Sequence, residues 1–165
     1  MEIGGEAFAP GFFVWNSEVG RRSLGIQTFW FQAVCQNHIV WDAVEVVDFS
    51  RKHTANVRDG LNEIRGILSQ LVASRDARKD SFAKALGKAM SEKLGEDAEA
   101  ISKVLCTEGI PKELAKSALE LATQQGRFTI FSLVDALTRL TQSVKFIGDR
   151  TELDQKIGKL LTLAT

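Results

Sequence analysis

The 165-residue chain has few of the residues on which several common protein classes depend. It contains only two cysteines, Cys35 and Cys106, which cannot form the disulfide framework of a small secreted protein. No apolar run approaches the roughly 20 residues of a membrane-spanning helix. The first ten residues carry Glu2 and Glu6 where a signal peptide has basic residues, and they lack its apolar segment. We therefore expect a cytoplasmic protein with no membrane partner.

Motifs for catalysis are also scarce, since the sequence has no Gly-rich phosphate loop and no Gly-x-Ser-x-Gly element. Cys35, His38 and His53 could begin a zinc site, but Asp42 or Cys106 would have to complete its ligand set. Cys35 with either histidine is formally a nucleophile and a base, without a supporting local motif. A buried free cysteine and two histidines in turns are the expectation that we favour. The sequence thus predicts a protein that is not an enzyme and has no metal, cofactor or small-molecule substrate.

The chain has no net charge, because 21 lysines and arginines balance 21 aspartates and glutamates. Proteins that hold nucleic acid mainly through its phosphates usually carry a basic excess, so the total argues weakly against that role. The charges are unevenly distributed, however. Residues 1–50 contain two basic and six acidic side chains, whereas residues 51–80 contain seven basic and four acidic ones.

Aromatic residues concentrate at the start of the chain, where all three tryptophans and six of the ten phenylalanines precede residue 51. Such residues favour strands. We predict strands at residues 11–19, 24–28 and 39–49, a turn at 20–23 and an irregular lead-in over residues 1–10. Residues 29–35 fit either an extension of the second strand or a short buried helix.

The hydrophobic period changes to that of a helix from residue 54 onward. One apolar stripe comprises Val57, Leu61, Ile64, Leu68 and Leu71. Later helices are predicted at residues 82–94, 97–105, 111–125, 130–141 and 149–161, the last with a capping box at Asp149 and Glu152. The polar residues 75–81 are predicted to form a loop between helices. The fold class is therefore α+β, with a small antiparallel sheet of about three strands packed with a bundle of five to six helices. We expect a single domain over residues 1–165, sheet-rich over 1–50 and helical over 51–165.

The clearest candidate binding surface is a basic stripe, defined as Arg51, Lys52, Arg58 and Arg65. Arg58 and Arg65 are seven residues apart and lie nearly above one another on a helix. The stripe could contact phosphates or an acidic protein surface, or it could be an ordinary solvated helix face. The aromatic residues before position 51 could stack on single-stranded bases, but we favour a role for them in the core.

Two sequence elements resemble a known family. They are the Asn-Ser-Glu-Val-Gly turn over residues 16–20 and the Cys-Gln-Asn-His element over residues 35–38. Both resemble motifs of the phage/plasmid-like protein family, a domain of unknown function, although His38 stands where that family usually has glycine. The motif residues are Asn16, Ser17, Glu18, Gly20, Cys35 and Asn37. The resemblance covers most of residues 11–161. It implies a mobile-element origin and a chain that corresponds to the C-terminal portion of longer members, and it lends no catalytic residues.

Two functions from different classes follow as expectations. The first is a non-enzymatic inhibitor encoded by a mobile element, which binds a host nucleic-acid defence complex of the restriction or CRISPR type by protein–protein contact. Such a protein needs only a complementary patch, to which charge patterning adds specificity. The alternative is a protein that binds single-stranded nucleic acid and assists phage or plasmid recombination or replication. Its zero net charge counts against this alternative, whereas the basic stripe counts for it.

Overall fold

A computed structural model describes residues 1–15, 25–32, 37–40, 62, 65–66, 68–70, 72–144 and 147–164. Within these residues the chain forms four strands, which are β1 (Glu2–Ile3), β2 (Glu6–Trp15), β3 (Gly25–Gln32) and β4 (Asn37–Ile39). The helices that follow are α1 (Arg75–Ala89), α2 (Ala98–Thr107), α3 (Lys112–Gln125), α4 (Ile130–Thr141) and α5 (Ile147–Lys159), and a 3-10 turn at Leu160–Leu163 continues α5. The α+β class predicted from the sequence is confirmed.

The strands form one antiparallel sheet in the order β1-β2-β3-β4, so each strand pairs with its neighbour in the chain. The predicted irregular lead-in is wrong, because residues 1–10 form β1 and the first half of β2. Gly4 and Gly5 have φ angles of +59° and +83°. Two left-handed residues make the tight hairpin turn that matches the twist of a sheet, and Ile3 consequently pairs with Glu6.

Residues 29–32 form the second half of β3. Of the two alternatives for this segment, a strand extension or a short helix, these residues therefore form the strand extension. Of the third predicted strand, only Ile39 and Val40 are described, and Ile39 ends β4. The remainder of that prediction, residues 41–49, and the turn predicted at residues 20–23 lie outside the described residues.

The predicted loop at residues 75–81 is wrong, because these residues form the first two turns of α1. Their arginine, lysine and alanine side chains favour helix despite their polarity. The chain is also helical at residues 62, 65–66, 68–70 and 72–73, in agreement with the first predicted helix. Ser74 joins the two parts, since its N–H donates to the Gln70 carbonyl at 2.9 Å and its own carbonyl accepts from Arg78 N–H at 3.0 Å.

Most later helices begin and end close to the predicted positions. Asp97 caps α2 by accepting a hydrogen bond from Ala100 N–H at 2.8 Å, and Gly126 ends α3. The capping box predicted for the last helix is wrong. Helix α5 begins at Ile147, which places Asp149 inside it, and Glu152 pairs with Lys156 of the next turn.

The core is centred on α4, of whose twelve residues nine are buried. The sheet joins this core through Phe8 and Trp30, both of which contact Phe82 of α1. Trp30 stacks on Phe82 with ring centroids 4.9 Å apart, and Phe8 meets it edge to face at 5.5 Å. These aromatic side chains therefore have the core role that we favoured, whereas Phe12 is 53% exposed. No helix in the described part of the chain is long and apolar enough to cross a membrane.

Candidate functional site

The structure describes only some of the residues that the sequence singled out. In the basic stripe, Arg65 is helical and exposed, whereas Arg51, Lys52 and Arg58 lie outside the described residues. In the family motif, Asn37 begins β4. The other motif residues, Asn16, Ser17, Glu18, Gly20 and Cys35, lie outside the described residues.

The metal hypothesis that we disfavoured concerned Cys35, His38 and His53. His38 lies in β4, and the other two lie outside the described residues. Of the two residues that would have completed the ligand set, Cys106 is exposed on α2, and Asp42 lies outside the described residues. Within the described ranges, no three histidine, cysteine, aspartate or glutamate side chains group closely enough to hold an ion.

Arg65 belongs to a surface that we name the exposed helical stretch, which comprises the described residues 62, 65–66, 68–70 and 72–81. None of its described residues is buried, and Val72 is 74% exposed. Its described charges are of both signs, and Arg75 Nε lies 3.5 Å from Asp76 Oδ1. The stretch therefore presents mixed charge and an apolar side chain to solvent.

A second candidate lies where the sheet meets the helices, and we name it the sheet–helix cleft. Its volume is about 780 Å³, within the range of roughly 300–1,000 Å³ typical of small-molecule sites. The wall on the sheet side comes from the β1–β2 turn and the end of β3. The opposite wall comes from the α3–α4 turn and from α4, and Met90 closes the side next to α1.

The α4 wall holds a charged pair in a fixed geometry. Arg139 Nη2 lies 2.9 Å from Asp135 Oδ2, one helical turn apart. The Asp135 side chain is 10% exposed and that of Arg139 43%. The carboxylate is thus held within the wall, while part of the guanidinium reaches solvent.

The sheet wall contributes an amide and a carboxylate. Gln32 is only 1% exposed, and its Nε2 donates to Glu6 Oε2 at 3.2 Å. Its Oε1 has no hydrogen-bond partner among the described residues. A buried acceptor without a donor costs roughly 1–3 kcal/mol of stability. The hydrogen-bonding capacity of the Gln32 amide in this wall is therefore only partly used.

The start of α4 is held by its own hydrogen bonds. Thr129 caps the helix by accepting from Ser132 N–H at 3.2 Å. The Ser132 hydroxyl lies 3.0 Å from the Arg127 carbonyl and 2.8 Å from that of Thr129. Phe131 meets Phe8 edge to face at 6.4 Å. These contacts fix the backbone that carries the Arg127 side chain and the Phe131 ring.

This cleft was not predicted from the sequence. Its one usable signal is the Asp135 carboxylate, which occurs among apolar residues of the α4 stripe and has a basic partner four residues later. A charge at such a position requires a partner or a function.

A family model matches residues 1–156, and its description is a domain of unknown function, DUF932. The chain belongs to the DUF932 family. Comparisons with curated proteins and with solved structures find no match. All residues of the sheet–helix cleft lie within the DUF932 match, as does the exposed helical stretch. The predicted resemblance is therefore confirmed in its coarse form, a family of unknown function.

Proposed function

We propose that this DUF932 protein is a non-enzymatic binding protein encoded by a phage or plasmid. In this proposal it acts in the cytoplasm of a bacterial host, where it inhibits a nucleic-acid defence complex of the restriction or CRISPR type by protein–protein contact. The observation that carries the proposal is the exposed helical stretch, because it is a helical surface that the described core of the protein does not use.

The composition of this stretch supports a protein partner over nucleic acid. Its described charges are of both signs, with Asp76 and Asp80 set among four basic side chains, Arg65, Arg75, Arg78 and Lys79, whereas a surface that holds phosphates carries mainly one sign of charge. Val72 offers apolar area at the centre of the stretch. Protein interfaces combine such apolar contacts with complementary charges that set specificity and association rate.

The test is capture of a partner from host lysate with the intact chain and with two variants, Arg65→Glu and Val72→Asp. We expect a protein partner in stoichiometric amount, resistant to nuclease. Each variant should reduce its recovery about tenfold or more, because a reversed charge or a buried carboxylate opposes binding.

Lys116→Glu on the exposed face of α3 is the matched control, and it should leave recovery unchanged. Recovery of nucleic acid alone would refute the proposal. So would a protein that both variants recover in the same amount as the wild type does. A phage or plasmid origin further predicts that the gene lies among genes of such elements.

The second candidate function, binding of single-stranded nucleic acid, is favoured by a separate observation. Phe29 and Phe31 lie on one face of β3 and are only half-buried. Phe12 of β2 is largely exposed, and because it pairs with Thr28 it lies on the opposite face of the sheet. Aromatic rings at a sheet surface can stack on unpaired bases.

This alternative is tested with a labelled oligonucleotide. Binding should weaken steeply with salt, and Arg58→Gln and Arg65→Gln should each reduce the salt slope by about one unit. The absence of binding at low salt would exclude this function.

A further inference from the structure

We propose that the sheet–helix cleft is a binding site for a nucleoside phosphate. The inference goes beyond the proposed function, since it concerns a different surface and a ligand that the sequence did not predict. Either idea can fail without the other.

The cleft-lining residues of α4 recur at a helical spacing that suits such a ligand. Phe131, Asp135 and Arg139 are successive members of an i, i+4, i+8 series, so they lie along one face of the helix. At 1.5 Å per residue, the series spans about 12 Å. An aromatic ring thus stands near one end of the wall and a guanidinium near the other.

The charges at the cleft match a phosphate and a polar heterocycle. Arg127 is exposed and lines the cleft beside the start of α4, whereas Arg139 lines it near the other end of the wall, so each end of the cleft has a guanidinium. Guanidinium groups bind phosphate oxygens with two parallel hydrogen bonds. Because Arg139 is held by Asp135 at 2.9 Å, it is already oriented before a ligand arrives.

The aromatic and amide groups match a base. Phe131 is half-buried and held edge to face by Phe8, so a flat ring can stack on it without reordering the side chain. On the sheet side, Glu6 lines the cleft and its carboxylate accepts hydrogen bonds. Oε1 of Gln32 has no donor among the described residues and is buried, so a ligand reaches it only when the side chain rotates. The amino groups of bases and the hydroxyl groups of ribose are donors for such acceptors.

The volume of about 780 Å³ accommodates one nucleotide, either free or as one unit of a strand. Two kinds of probe distinguish a free nucleotide from a nucleotide within a strand. Adenosine 5′-monophosphate and cytidine 5′-monophosphate represent the free nucleotide, and trinucleotides of the same bases represent the strand. Inorganic phosphate is the third probe, because it lacks a base.

The experiment is calorimetric titration of the full chain with each probe. We expect saturable binding of a mononucleotide or a trinucleotide, at least tenfold tighter than that of phosphate. Tighter binding of the trinucleotide would indicate a strand, and equal binding would indicate a free nucleotide. No saturable binding of any nucleotide, or phosphate binding as tight as theirs, would overturn the inference.

Two variants localise the binding while sparing the core. Arg127→Gln removes an exposed guanidinium, and Gln125→Trp places a large ring at an exposed position on the rim of the cleft. Each should weaken nucleotide binding tenfold or more with an unchanged melting temperature. Lys116→Gln, exposed on α3 outside the cleft, is the matched control. Binding that persists unchanged in both cleft variants would also overturn the inference.

Discussion

The most unusual single residue among those described is Asp154, a carboxylic acid in the contact between α5 and α4. It is only 6% exposed, and its Oδ1 accepts a hydrogen bond from the Thr141 hydroxyl at 3.0 Å. Arg150 Nε lies 3.5 Å from its Oδ2. Burial raises the pKa of Asp154, because desolvation of the charged form outweighs the opposing effects of Thr141 and Arg150.

The raised pKa predicts how stability changes with pH. Asp154 contributes stability that is fully present below its ordinary pKa of 3.8 and is lost as the pH rises through its higher value in the folded protein. Asp154→Asn has no charge to bury, so its free energy of unfolding should rise relative to that of the wild type between pH 4 and pH 7. Urea unfolding of both proteins at intervals of one pH unit measures this difference.

Thr141→Val provides the matched comparison for Asp154→Asn. It removes the hydroxyl that favours the charged carboxylate, so the loss of stability should extend to higher pH than in the wild type. A difference between wild type and Asp154→Asn that stays constant from pH 4 to pH 7 would contradict this account.

The residues of the sheet–helix cleft show why a site can escape prediction from sequence. Glu6, Gln32 and Asp135 come from β2, β3 and α4, which are distant in the chain. No local spacing relates them, because they meet only when β3 packs near α4. The basic stripe was visible in the sequence because Arg58 and Arg65 are related by helical period alone.

At the scale of elements, the close contact between α5 and the end of the sheet depends on Gly158. A methyl group built on Gly158 would overlap the carbonyl oxygen of Val40. Both residues are buried, and the obstacle is backbone, which cannot rotate away as a side chain would. Helix α5 can therefore approach the strand this closely only with glycine at this position.

Gly158→Ala should accordingly lower the free energy of unfolding by about 1–3 kcal/mol, since α5 must shift to relieve the overlap. Gly87→Ala is the control, because Gly87 lies exposed in α1 and its added methyl group would meet nothing within 4 Å. That change should be neutral or stabilising by about 0.5–1 kcal/mol. Thermal and urea unfolding measure both, and equal effects at the two positions would contradict the proposed role of Gly158.

The elements that were predicted well are helices that have an apolar stripe and a residue type that typically begins or ends a helix. Helices α2 and α3 have Asp97 and Gly126 at their boundaries, and α4 has a long apolar face. Prediction failed at residues 75–81, where polarity suggested a loop although the residues are good helix formers. It also failed at Gly4 and Gly5, a glycine pair typical of a tight hairpin turn, which was treated as part of an irregular lead-in.

At the scale of the whole molecule, the sheet and the helices share one core. Phe8 and Trp30 of the sheet both pack on Phe82 of α1, and α4 contacts β4 as well as the neighbouring helices. A chain whose parts share buried aromatic contacts should unfold as one cooperative unit. The single domain expected from the sequence stays a prediction, and the cooperativity of unfolding can test it.

Phe82→Leu should lower the free energy of unfolding by roughly 1–2 kcal/mol, which corresponds to a few degrees in melting temperature for a chain of this size. Tryptophan fluorescence and far-ultraviolet circular dichroism should move together, in the wild type and in the variant. Two separate transitions, or a variant that shifts only one signal, would show that the sheet and the helices unfold independently.

The unequal lengths of β1 and β2 have a consequence for self-association. The pairing register joins β1 to Glu6 and Ala7, so among the described strands β2 continues past the end of its short neighbour without a partner on that side. An uncovered strand edge is a template on which other chains can add and form aggregates. Pro10 lies in this overhang and offers no N–H group to an incoming strand. Along this edge of the described sheet, the proline therefore disfavours the addition of a further strand at its position.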